Sequence, residues 1–128
     1  MRIGLFDDDP DTRQLIEEFL IDINHNIISI AKDSPQELQY ESGCDALIID
    51  VRTRADRYAG VNYILSQRSS DKISKETKVI FISNFGRENI ELLNLLSTCG
   101  DYVWLDKPID FASLKRILFE HEQSLKKK

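Results

Sequence analysis

The sequence predicts a single α/β domain: a doubly wound, five-stranded parallel sheet in a (βα)5 arrangement spanning residues 1–128. Three observations predict it. Five short apolar runs recur along the chain, and segments with helical spacing separate them. Several of the runs are almost continuously apolar, as strands covered on both faces are. Strand and helix in alternation imply right-handed crossovers and helices on both faces of the sheet.

Each element has its own signal. Arg2–Phe6 reads as the first strand, and Leu15, Ile16, Phe19 and Leu20 then mark a helical stripe. Asp9 followed by Pro10 supplies that helix with an N-cap and a first-turn proline. The second strand is Asn26–Ile30. Residues Ser34 to Tyr40 form the weakest helix, with Ser34 as N-cap and Pro35 at its first position. Ala46–Ile49 is the third strand, and Val61, Ile64 and Leu65 mark the helix after it. Val79–Ile82 is the fourth strand, followed by a short stripe of Ile90, Leu93 and Leu96. Tyr102–Leu105 is the fifth strand. Asp110 caps the last helix, whose stripe is Phe111, Leu114, Ile117, Leu118 and Leu125, and Lys126–Lys128 reads equally as a frayed end or as the lead into a further segment.

Composition excludes several classes. The length suits one hydrophobic core. With 41% hydrophobic residues and only five glycines and three prolines, the chain is neither disordered nor of low complexity. No apolar run is long enough to span a bilayer, and aspartates follow the first strand too closely for a signal peptide. Cys44 and Cys99 are too few for a disulfide framework and lack zinc-site spacing; they read as core or edge residues, so the expected location is the cytoplasm. A net charge of -5 leaves no basic surplus for nucleic acid.

Ligands of open parallel sheets bind beyond the carboxyl ends of the strands, where the strand order reverses. Those ends hold Asp7-Asp8-Asp9, Asp50, Ser83-Asn84 and Asp106-Lys107-Pro108, while the second strand runs into Ala31-Lys32-Asp33 and offers nothing distinctive. Capping accounts for Asp9. It does not account for Asp7 and Asp8. Beside Asp50 they would place three carboxylates in one pocket, a cluster that persists only with a cation or shared protons. Few, hard oxygen ligands suit Mg2+. A carboxylate there can attack a phosphoryl group to give an acyl phosphate. Ser83 and Lys107 would aim a hydroxyl and an ammonium at the oxygens of the transition state. Singly, Ser83 reads as a turn residue and Lys107 as a surface lysine; their joint placement at successive strand ends favours chemistry. A cis Lys107–Pro108 bond would swing the lysine toward the pocket, whereas a trans one would merely end the strand.

These residues closely resemble the receiver domain of two-component response regulators, over essentially the whole chain. The resemblance implies a flavodoxin-like fold in which Asp7 and Asp8 are the acidic metal-binding pair and Asp50 is the phosphoacceptor. Ser83 matches the hydroxyl residue of the fourth strand, and Lys107-Pro108 the lysine and its cis proline. It further implies Mg2+ held by Asp7, Asp8, Asp50 and the backbone carbonyl of Arg52. Phosphate would come from a sensor histidine kinase or phosphotransfer protein. On phosphorylation Ser83 moves toward the phosphate and Trp104 turns inward. The partner-binding surface is then the fourth helical segment, fifth strand and last helix, where Arg87, Glu88, Glu91, Asp101, Lys115 and Arg116 could make charged contacts, a solvated face being the default reading of such charges. A homodimer is compatible with it, and the output lies in another domain or molecule, because one helix exhausts the chain after Pro108.

The sequence departs from the family pattern in three places. The loop Val51–Ala59 is extended, lacks the usual proline and carries Arg52, Arg54 and Arg57. These arginines could steer an anionic partner, restrain Asp50 or simply be solvated. Asn84 stands where a small residue is usual, and Trp104 where Tyr or Phe is. Two other readings compete with the switch. One is a receiver-like interaction module that does not use phosphorylation. The other is a small haloacid-dehalogenase-like phosphatase with its nucleophile in Asp7–Asp11, although Asp11 stands where that motif has Thr or Val. His25 and His121 belong to no motif and read as non-catalytic.

Overall fold

A computed structural model describes residues 1–39, 43–84 and 89–127. The strands are β1 (Arg2–Phe6), β2 (Asn26–Ala31), β3 (Ala46–Asp50), β4 (Lys78–Ser83) and β5 (Val103–Asp106). All pair in parallel, in the order β2-β1-β3-β4-β5. The chain moves outward from β1 to β2, then crosses back to continue through β3 on the other side. The carboxyl ends of β1 and β3 therefore flank the point where the winding reverses, where a ligand cleft is expected.

Among the described residues four helices cover the sheet: α1 (Pro10–Asp22), α2 (Ala59–Ser69), α3 (Ile90–Leu96) and α4 (Phe111–Lys126). Because strand side chains alternate between faces, β3 feeds two cores at once. Leu47 and Ile49 pack with Val61, Ile64, Leu92 and Leu96 from α2 and α3. Ala46 and Ile48 pack with Ile16, Leu20, Leu114 and Leu118 from α1 and α4. This two-sided burial explains the continuous apolarity of β3 and β4. The expected caps form: Asp9 accepts from the amides of Asp11 and Thr12, and Asp110 from those of Ala112 and Ser113.

Two sequence expectations require correction. Over the described part of the helix expected from Ser34 to Tyr40 there is a single 3-10 turn, Pro35–Glu37, so among the described residues the five strands carry four α-helices rather than five. Its start signals are genuine, for Ser34 and Glu37 form a reciprocal capping box. The Glu37 carboxylate also accepts from the amides of Lys32 and Asp33, and the chain then extends at Leu38. The stripe on α3 is out of phase as well. Leu92 and Leu96 are buried, whereas Ile90 and Leu93 face solvent. Leu15 of the α1 stripe is likewise exposed.

Both histidines make structural contacts, His25 with the Met1 amine and His121 with the Asp45 carbonyl. Tyr40, Arg87, Glu88 and Lys128 lie outside the described residues. Among the described residues, no helix is long and apolar enough to cross a membrane.

Candidate functional site

The site grows from the ends of β1, β3 and β5. Asp7 follows β1 directly and is fully buried; the amide of Asp9 donates to its Oδ1 at 2.9 Å, and Arg13 Nη1 donates to its carbonyl at 2.9 Å. Capping of α1 and placement of Asp7 are thus one local structure, because the tight turn that makes Asp9 an N-cap also turns its amide onto Asp7. Asp50 is the last residue of β3, in register with Ile82 of β4, and only 4% exposed. Lys107 follows β5, its amide donating to the Ser83 carbonyl at 2.7 Å, and the Lys107–Pro108 bond is cis as expected.

The sequence-predicted carboxylates converge. One oxygen from each of Asp7, Asp8 and Asp50 lies within 4.8 Å of the others. Lys107 Nζ sits 3.0 Å from Asp7 Oδ2 and 3.2 Å from Asp50 Oδ2. The first contact is an ion pair without hydrogen-bond alignment, and Asp7 Oδ2 remains buried with no hydrogen-bond partner. Burial, reinforced by repulsion from Asp7 and opposed by Lys107, pushes the Asp50 carboxyl up to about 7. Burial pulls Lys107 the other way, but Asp50 and Asp7 outweigh it and hold the ammonium above its ordinary range.

These residues fit a hard divalent cation. An octahedral ion with bonds of about 2.1 Å needs oxygens roughly 3 to 4 Å apart, close to what the three carboxylates offer. Asp7 Oδ2, buried and met only by the Lys107 ammonium, has room for a further cationic partner of this kind.

The remaining predicted residues frame this cluster. A cavity of about 270 Å³ opens over it, with Asp8, Asp50, Arg52, Arg54, Asn84 and Lys107 in its walls. The Arg52 amide lies 3.4 Å from Asp50 Oδ1, which brings that backbone to the rim. Ser83, buried at the end of β4, is not in the cavity wall; its neighbour Asn84 is. Trp104 is half-buried on β5, with its ring centroid 6.3 Å from that of Phe81. Its indole donates to Asp106 Oδ1 at 2.9 Å, a partner the sequence did not suggest. Arg13 was equally unforeseen, since nothing in an i+6 spacing signals a side chain returning to a strand-end carbonyl.

No family model matches the chain, and no curated protein matches it. Solved structures do. A response regulator receiver protein from Pseudoalteromonas atlantica superposes with a TM-score of 0.78 at 14% identity, over 98% of this chain and 99% of that one. A CheY-like receiver domain protein from Methanospirillum hungatei gives 0.74 at 15% identity, over 99% and 98%. The chemotaxis protein CheY4 of Vibrio cholerae gives 0.75 at 20% identity, over 93% and 96%. With its strand order, its two-faced helix packing and these superpositions over nearly its full length, the chain has the fold of a response regulator receiver domain.

Proposed function

We propose that the chain is a phosphoacceptor receiver domain that takes a phosphoryl group onto Asp50 from a sensor histidine kinase or phosphotransfer protein. The observation that carries this reading is the convergence of Asp7, Asp8 and Asp50 with Lys107 bridging two of them. Burying three carboxylates together is costly, since burial first and repulsion from Asp7 second push the Asp50 carboxyl up, and such a cost suits a site that binds a cation.

In the transfer, an Asp50 carboxylate oxygen forms a bond to phosphorus as the donor's N–P bond breaks. The departing imidazole keeps the electron pair and takes up a proton. Lys107 is held between two carboxylates, within reach of a phosphoryl oxygen on Asp50. Asp7, Asp8, Asp50 and the Arg52 carbonyl would hold Mg2+, which when bound neutralises charge on the phosphoryl oxygens. The Ser83 hydroxyl would donate to one of those oxygens, and its movement would make room for Trp104. The domain catalyses only its own phosphorylation and dephosphorylation. It would act in the cytoplasm on an output partner met through α3, β5 and α4.

Label transfer from acetyl phosphate with Mg2+ tests this. The wild-type protein is expected to take up label, and Asp50→Asn to take up none. Uptake by Asp50→Asn at the wild-type level would sink the reading. No label and no spectral response to beryllofluoride with Mg2+ would point instead to an interaction module that does not use phosphorylation.

The Trp104–Asp106 hydrogen bond makes a second expectation. It holds the indole in its resting orientation, so removing it should ease inward rotation. One exposed hydrogen bond contributes about 0.5–1 kcal/mol. Asp106→Ala should therefore tighten apparent beryllofluoride affinity roughly two- to fivefold, followed through the fluorescence of this single tryptophan. An affinity equal to or weaker than wild type would show that the bond does not restrain the ring.

A further inference from the structure

We infer that Arg54 is the docking cation for the incoming phosphoryl dianion, a specificity residue that acts before Asp50 attacks. The inference rests on the phosphoacceptor reading of Asp50. Three observations lead to it.

The first is position. Arg54 stands in the wall of the cavity that holds Asp50 and Lys107. It also stands in the wall of an adjoining cavity of about 360 Å³, with Asp8 and Asp33. Arg54 therefore borders both the cavity over the nucleophile and the one beside it.

The second is the loop that carries it. The Thr53 amide donates to the Asp56 carbonyl at 2.8 Å, and the Asp56 amide returns to Thr53 Oγ1 at 2.9 Å. This clasp closes a two-residue tip formed by Arg54 and Ala55. Its base is tied down as well: the Tyr58 amide donates to Asp56 Oδ1 at 2.9 Å, and the Gly60 amide to the Val51 carbonyl at 2.8 Å. An extension of the chain at this point has become a closed support rather than slack.

The third is charge. Three carboxylates face one ammonium, and that ammonium is already engaged by two of them. With Mg2+ bound, the ion and this ammonium only balance the three carboxylates, so the cluster has no net charge to draw in a phosphoryl dianion, and a further cation at the mouth would supply that attraction. Arg54 forms no ion pair or side-chain hydrogen bond among the described residues, although Asp8 and Asp33 share its cavity. Its guanidinium is therefore free for the donor and not committed to the nucleophile. The planar fork of arginine fits two phosphoryl oxygens together, which an ammonium does not.

The test compares wild type, Arg54→Ala and Arg54→Lys in the full chain. Initial labelling rates are taken across acetyl phosphate concentrations with Mg2+. Binding of inorganic phosphate is followed separately by NMR shifts. Mg2+ binding without any donor is followed by calorimetry. Arg54→Ala should raise the half-saturating acetyl phosphate concentration about five- to tenfold, with the maximal rate changed far less, and should weaken phosphate binding to a similar extent. Arg54→Lys should fall between the two. Mg2+ binding should stay equal or tighten up to about twofold, because a like charge has been removed. A loop that had merely lost its shape would weaken Mg2+ as well. Half-saturation within twofold of wild type, or loss of Mg2+ affinity in step with acetyl phosphate, overturns the inference. If wild type takes no label, the phosphoacceptor reading fails and Arg54 is judged on phosphate binding alone. Dependence on Arg54 there supports its phosphate docking apart from any transfer to Asp50, and equal binding overturns the inference.

Discussion

Gly60→Ala should destabilise the protein by about 2–4 kcal/mol, although helix propensity alone would favour alanine by about 1 kcal/mol. Gly60 lies in the first turn of α2, where the helix crosses the end of β3. A Cβ there would collide with the Asp50 carbonyl oxygen and meet Ile49 Cγ2 at 2.7 Å. The first is a backbone atom of the central parallel strand, so no side-chain rotation relieves the collision. Either α2 lifts from the sheet, opening the core under Val61 and Ile64, or the end of β3 moves. Both routes reach the site, because Asp50 is the residue struck. Urea unfolding measures the loss, and Ser66→Ala on the exposed side of α2 is the control, expected within about 0.5 kcal/mol of wild type. The beryllofluoride response of Gly60→Ala should weaken in parallel. Equal or greater stability in Gly60→Ala would mean that α2 is free to shift and does not fix Asp50.

That collision shows why the sequence revealed the site more readily than its supports. Strand ends were legible because parallel strands buried on both faces are apolar throughout, so a lone Asp50 after Leu47–Ile49 marks both the boundary and the ligand edge. Asp7 and Lys107 were legible for the same reason. Contacts made across the chain were not. The bond from Arg13 to the Asp7 carbonyl, the Trp104–Asp106 pair and the approach of Gly60 to Asp50 each depend on how elements dock, which no local pattern encodes.

The two misread segments fail for different physical reasons. At residues 34–39 the start signals were genuine but satisfied by one turn. Glu37 spends its carboxylate on three amides of the preceding turn, and Ser29 Oγ draws the Gln39 amide away from a helical partner. In α3, apolar residues at 90, 92, 93, 95 and 96 fit more than one face. Periodicity cannot choose among them, and packing against α2 and the sheet selects Leu92 and Leu96.

In the absence of divalent cations, Asp50→Asn should be more stable than wild type at pH 8 and indistinguishable from it near pH 4. The cause lies in the Asp50 carboxyl, which burial and Asp7 push up to about 7 from 3.8 despite Lys107. A pKa raised by folding means that the folded state prefers the protonated acid. The associated stability is complete below the unfolded value and is lost as pH rises through the folded one. Ionising Asp50 therefore works against folding across roughly pH 4 to 7. A shift of that size corresponds to at most about 4 kcal/mol, and structural relaxation should reduce the observed difference to about 1–3 kcal/mol. The neutral amide removes the penalty and keeps an oxygen that can accept from Lys107. Thermal melts with a chelator should show Asp50→Asn several degrees above wild type at pH 8, with the gap closing on acidification. Added Mg2+ should then raise wild type more than the variant, since the ion binds the charge that makes the apo site costly. A gap that stays constant with pH would mean that Asp50 ionises freely in the folded protein. Lys107 would then offset burial and the Asp7 charge in full, and the apo site would carry no electrostatic cost for a cation to relieve.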